Sequence, residues 1–333
     1  MTGDFRIAVA GFAVVGQAGS NSTGNELAQG VYLGLKQEFD DLKLGFTITI
    51  WGPDQVGSVM GSDAKERAAS ARQLAEKVGA DVLVYGLVDV SNPVWYVTPE
   101  FYVSAHNFYE ADEVTGEHQI GEPFSLTGQG DLARRIQLSS KFGSRVQAIS
   151  KITVGLTYYS VREYDQALRF FQSAESIKEW EDAQGKQVVY LLLGSISSKK
   201  KDYETAKAYY HKSLDVDPKY ARPHIGLGGV YYLLALKPIA ASKKDTDLDI
   251  ALLETAIDHY QRPLQAENQP PLADIPTKVH FGLGQCYLYR TYSGRDRTFN
   301  AAVKEFNIVI ADYGNGANPR VRELAAESHA RLG

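Results

Sequence analysis

His106, Glu110, Asp112, Glu113, Glu117 and His118 form the densest collection of chemistry-bearing side chains in the sequence. Carboxylates and imidazoles are ligands of divalent cations, and a carboxylate beside a histidine can move protons. Their spacing repeats no metal-binding pattern, and the flanking residues are aromatic and β-branched, so a solvated strand face is the plainer reading. The Gly/Ser-rich stretch 16–24 lies between a strand-like and a helix-like run, where backbone N–H groups can cradle phosphate. It lacks the Lys-Ser/Thr pair of a P-loop and the G-x-G-x-x-G spacing, which leaves a connecting loop. Cys286 and His280 are six residues apart in a helical pattern, about 600° of rotation at about 100° per residue. They fall on different faces, so a buried free thiol is expected rather than a nucleophile. No G-x-S-x-G, H-E-x-x-H or C-x-x-C occurs. The sequence therefore points away from an enzyme: no catalytic residue, no metal and no cofactor is assigned.

The elements that would carry these residues belong to an ordinary globular chain. It has 333 residues, 44% hydrophobic and 23% charged, enough for two domains. A single cysteine excludes a disulfide framework and a cysteine zinc cage. Net charge is −5, which argues against a nucleic-acid partner. Residues 1–130 carry 7 basic and 17 acidic side chains, net −10, and the rest of the chain is net +5. This break suggests an N-terminal domain over 1–130 and a second over 131–333, with opposite charges favouring their docking. No apolar run reaches 18 residues, so no membrane span is expected. The compartment stays open between the cytoplasm and a soluble extracytoplasmic domain of an anchored protein.

In the first domain, 5–12 is a nearly continuous apolar run, as in a strand buried on both faces. Thr23 and Glu26 have capping-box spacing and predict a helix start. Residues 46–51 alternate and predict a second strand. Asp63 and Glu66 open a helix whose Ala68, Ala71, Ala75 and Val78 make a flat face, with Gly79 just past its end. Residues 81–88 read as a third buried strand. Strand–helix–strand–helix–strand predicts parallel pairing. Residues 95–105, 108–114 and 123–126 then read as added antiparallel strands. The opening IAVAGF, the Gly-Ala-Asp at 79–81 and the following VLVYGLV resemble the small α/β domains of TolB-like and CsgG-like bacterial envelope proteins.

The second domain opens with a connecting helix over 131–140, and its pattern then becomes helical and repetitive. Gly155, Tyr158, Ala167, Phe171 and Ala174 place small residues and aromatics at helical spacing on two helices of a hairpin. Gly194, Ala206, Tyr210, Ser213 and Pro218 repeat the pattern, and Gly228 follows Gly194 by 34 residues. Gly228, Tyr231, Ala256 and Tyr260 continue it across an insertion at 237–249, with Pro263 expected to kink or end that helix. Gly284, Tyr287, Ala302 and Phe306 form a fourth copy with a shorter insertion at 291–300. Residues 322–333 fit the first helix of a fifth copy, with Leu324, Ala325 and Leu332 on a face that lacks a second helix. This register resembles the tetratricopeptide repeat (TPR), a helical hairpin of about 34 residues. The fold class expected is thus α+β in two domains: a small mixed α/β sheet domain, then an all-α TPR superhelical array.

The resemblance implies protein binding through the first helix of each repeat, at positions 2, 5, 9, 12 and 13. Carried onto this sequence, the groove is Ile152, Tyr159, Leu191, Lys199, Arg222, Ile225, Tyr232, Lys278, Phe281 and Tyr289. The Lys/Asn clamp by which some members hold a C-terminal carboxylate is missing at these positions. An aliphatic and aromatic floor with a few cations suits an apolar or aromatic segment of a protein or peptide. The competing reading is that some of these side chains pack internally. The function expected is a non-enzymatic scaffold or adaptor in a bacterium, with a ligand-sensing signalling module as the alternative.

Overall fold

The computed structural model describes residues 5–16, 21–40, 47–108, 111–126, 140–178, 180, 185–265, 275–294, 298–313 and 319–332. Contacts divide the chain into two compact units. The first contains residues 1–108 and 115–196, the second Tyr109–Val114 and 197–333. The compositional border at 128–131 and nearly all of the expected connecting helix at 131–140 lie outside the described residues.

The first unit holds a mixed seven-stranded sheet: β1 (Phe5–Val9), β2 (Ala13–Val15), β3 (Ile48–Trp51), β4 (Val82–Asp89), β5 (Trp95–Val103), β6 (Gly116–Gln119) and β7 (Phe124–Leu126). The order is β3-β1-β4-β5-β6, with β2 beside β4 and β7 beside β5. Pairings among β1 to β4 are parallel, and those of β5 with β4, β6 and β7 are antiparallel. Its helices are α1 (Asn21–Asp40), the short α2 (Pro53–Val56) and α3 (Ala64–Val78). Asp63 caps α3 by accepting from the Glu66 N–H at 2.8 Å, and Gly79 ends it in the left-handed conformation. The alanine face works as its spacing predicts: Ala71 and Ala75 pack on Ala8, Leu83, Tyr85 and Tyr102 of the sheet. Asp81 explains the Gly-Ala-Asp motif. Its carboxylate accepts from the Arg6 N–H at 2.8 Å and from Asn107 at 2.7 Å, tying β1 to the turn after β5.

Three expectations for residues 1–130 need correction. The apolar run 5–12 is not one strand: Gly11 exchanges hydrogen bonds with Gly57 and Val59, which breaks the ladder before β2 resumes. Helix α1 begins at Asn21, and Thr23 is buried within its first turn. Phe108 and residues 111–114 are not in a strand. Phe108 meets Phe5 edge-on at 6.2 Å, and Val114 N–H donates to the Ala111 carbonyl in a turn. The strand begins only at Gly116.

The helical array contains α4 (Ser140–Ser160), α5 (Tyr164–Glu175), α6 (Lys186–Lys199), α7 (Tyr203–Val216), α8 (Arg222–Ser242), α9 (Ile250–Gln265), α10 (Ile275–Tyr292), α11 (Phe299–Tyr313) and α12 (Pro319–Leu332). Its hairpins close by a wedge of glycine and aromatic residue. A Cβ at Gly155 would overlap the Phe171 ring, one at Gly228 would lie 2.9 Å from Tyr260, and one at Gly284 2.7 Å from Phe306. The aromatic also serves the following helix pair. Tyr260 abuts Gly282 of α10 as well as Gly228 of α8, so one ring locks two helices.

Departures from the template are local. The insertion after Leu236 lengthens α8 to Ser242, and Lys243 in the left-handed conformation ends it. Pro263 neither kinks the chain out of helix nor ends α9, which runs two residues further. By length and composition α8 could cross a membrane, with mean hydropathy 1.3. It is a helix of the array, however: Gly226 and Gly228 seat Tyr210 and Tyr260, and Arg222 is fully buried. The apolar face of α12 is covered within the chain, since Leu324 and Ala325 are buried with Leu288, Phe306 and Val309.

Candidate functional site

In the first repeat the template positions for ligand contact are interior. Ile152 is buried, and so is Tyr159, whose hydroxyl shares a 3.0 Å hydrogen bond with Ser195. The Tyr159 ring lies 5.9 Å from Phe108 and edge-on to Tyr164 at 5.6 Å. Helix α4 extends two turns before the template begins, and this extension packs on α1. Gly30 faces Phe142, and Gly34 faces Val146 closely enough that a Cβ would lie 2.6 Å away. Leu191 of α6 is also buried, while Lys199 at the end of that helix is half-buried.

The third and fourth repeats differ. Ile225 and Phe281 are buried, Phe281 against the edge of Phe306 at 6.0 Å. Tyr232 and Tyr289 are half-buried and meet edge to face at 5.8 Å; Tyr289 meets Tyr292 in the same way at 6.1 Å. Tyr292 is 54% exposed and Leu233, beside Tyr232, is 45% exposed. Tyr232, Tyr289 and Tyr292 form an aromatic strip across α8 and α10, and Leu233 is an exposed apolar residue next to Tyr232 along α8. Burial pushes the Tyr232 phenol well above its ordinary pKa, so it stays a neutral hydrogen-bonding group at any physiological pH. Tyr292 was not foreseen from the template, although it follows Tyr289 by three residues and so shares its helix face.

Two of the three groove cations, Arg222 and Lys278, are buried and reach the same short segment. Lys278 Nζ donates to the Asp112 carbonyl at 2.6 Å, and Arg222 Nη1 reaches the Glu113 carbonyl at 3.5 Å. Tyr210, the wedge aromatic of the second repeat, donates its hydroxyl to Glu113 Oε1 at 3.0 Å. Residues 111–114, on the connection between β5 and β6, thus belong with the second unit. Sequence reasoning did not bring Glu113 and Tyr210 together, because they are 97 positions apart.

The acidic and histidine cluster is dispersed. His106 is exposed, 3.6 Å from Asp81, and Glu113 is held by Tyr210. Glu117 and His118 are neighbours on β6 and point to opposite faces, His118 stacking on Phe101 at 4.7 Å. Glu110 lies outside the described residues, as do positions 17–20 of the Gly/Ser-rich stretch. Among the described residues no group of three His, Cys, Asp or Glu is placed to hold a metal ion. Cys286 is buried, and burial pushes its thiol pKa up, away from the reactive thiolate. His280 instead pairs with Glu305 at 2.6 Å. His224 and His259 meet through their Nδ1 atoms at 3.1 Å, and His259 stacks on Tyr231. Burial, then neighbouring positive groups, lowers both imidazoles to about 4.

Comparison with curated proteins finds no match. The tetratricopeptide repeat family model matches residues 188–220, which are α6, α7 and the turn leading to α8.

Proposed function

We propose that the chain is a non-enzymatic adaptor whose helical array binds an apolar or aromatic segment of another protein. The observation that carries this reading is the aromatic strip of Tyr232, Tyr289 and Tyr292, with exposed Leu233 next to it along α8. Tyrosines of this kind supply large contact area at small entropic cost and dominate many interfaces. A contiguous apolar patch left open on a water-facing surface marks an interaction site more often than a core. The repeat match supports protein partners in general. The motifs IAVAGF and VLVYGLV, read as resembling those of TolB-like and CsgG-like domains, are the reason for placing the scaffold in a bacterium.

The test is a random-peptide display library panned on the full chain. Enriched peptides should be aromatic or aliphatic, and Leu233→Asp with Tyr292→Ser should weaken them at least tenfold without loss of helix signal. Enrichment no better than on an unrelated protein, or ligands indifferent to both substitutions, would contradict the reading.

A further inference from the structure

The second unit holds a short peptide segment in a manner that suggests recognition. Two buried cations from successive first helices, Arg222 and Lys278, address two successive backbone carbonyls, Glu113 and Asp112. A third residue, Tyr210, reads one side chain, the Glu113 carboxylate. Ala111, Glu113 and Val114 are buried there. Main-chain contacts that tolerate any sequence, joined to one pocket that selects a side chain, are the usual division of labour in peptide binding. The charges also match: the segment carries Asp112 and Glu113 beside the array's Arg222 and Lys278.

We infer that Tyr210, Arg222 and Lys278 form a recognition slot for an acidic peptide, and that residues 111–114 occupy it in cis until a partner segment of the same chemistry displaces them. The partner's slot-binding sequence has a glutamate with a small apolar residue after it and a further acidic residue before it. This rests on the reading of the array as a protein-binding surface and names the chemistry of a second contact on it. A tethered occupant has an effective concentration on the order of mM, so a free peptide of equal contact quality competes poorly. A partner that also grips the tyrosine strip overcomes that handicap.

The experiment uses the full chain and a fluorescein-labelled peptide with the sequence of residues 109–116, followed by anisotropy. Glu113→Lys sets a positive charge against Arg222 and Lys278 and evicts the cis segment. This variant should bind the peptide at least tenfold more tightly than the wild type. Adding Lys278→Met should cancel the gain, and a peptide with Lys at the Glu113 position should not bind. A folded Glu113→Lys protein that binds no better than wild type overturns the slot. If that variant fails to fold, hydrogen exchange at residues 111–116 of the wild type decides. Faster exchange with millimolar peptide, and not with the Lys-containing peptide, supports displacement; unchanged exchange overturns it. Failure here with display ligands still sensitive to Leu233→Asp sinks the slot alone. Peptide binding to Glu113→Lys with no such ligands sinks the strip alone.

Discussion

The first repeat and the third are written in the same template and meet different surroundings. Tyr159 and Tyr232 hold the same template position on their helices. Tyr159 is buried between Phe108 and Tyr164 and hydrogen-bonded to Ser195. Tyr232 is half-buried, next to exposed Leu233 along α8, and joined edge to face through Tyr289 to exposed Tyr292. The difference arises outside the template. Helix α4 starts two turns early and lies on the Gly30–Gly34 notch of α1, so the first repeat is part of the core of the sheet unit. On α8 and α10, Tyr232 and Tyr289 are only partly covered by the core they pack against, and Leu233 and Tyr292 stay exposed. Position within a repeat therefore reports geometry, and the neighbour decides whether that geometry is core or surface.

The sharpest break of this comparison is truncation at both places. Tyr159→Ala should lower stability by about 3–5 kcal/mol, the range for losing a buried aromatic. Leu233→Ser should stay within about 0.5 kcal/mol, as for an exposed site. Urea unfolding measures both, and equal losses would erase the distinction. A smaller effect separates two glycines. Gly155→Ala drives a methyl into Phe171 and should cost about 1–3 kcal/mol. Gly229→Ala, one position further along in the third repeat, meets only the Tyr260 hydroxyl at 3.7 Å. It should stabilise by about 0.5–1 kcal/mol through helix propensity. Thermal melts that rank the two the other way would refute the wedge.

Acid should act on the second unit through His224 and His259. Both are held neutral, with folded values near 4 against 6.5 for a free imidazole. The unfolded chain then takes up protons first, so stability is full above about pH 6.5 and falls as pH drops toward 4. Neutral rings can share the 3.1 Å Nδ1 contact as donor and acceptor, which two imidazoliums cannot. His259→Gln should flatten the melting temperature over that window, and an unchanged slope would assign the acid sensitivity elsewhere.

What could be read from the sequence follows how local its causes are. The glycine–aromatic wedges at Gly155–Phe171, Gly228–Tyr260 and Gly284–Phe306 recur at fixed spacing, so steric fit shows directly as pattern. The alanine face of α3 is readable for the same reason. Residues 108–114 look like a strand by composition, yet their partners Tyr210, Arg222 and Lys278 lie 97, 109 and 166 positions away. No local propensity carries that information. The burial of Tyr159 was equally hidden, because it depends on Phe108 from a different element. The i, i+4 pair Gly30 and Gly34 on α1 was a visible signal for close helix packing, though not for which helix would arrive.

The central claim is that the template positions of the first repeat are interior while the strip of the third and fourth repeats takes the partner. Hydroxyl-radical footprinting of the full chain, with and without a display-selected ligand, addresses it in one measurement. Tyr292 and Leu233 should oxidise readily in the free chain and lose most of that reactivity when the ligand binds, with Tyr159 and Phe171 unreactive in both states. A ligand that protects other residues and leaves Tyr292 and Leu233 reactive, or a free chain in which Tyr159 oxidises as readily as Tyr292, would contradict the account.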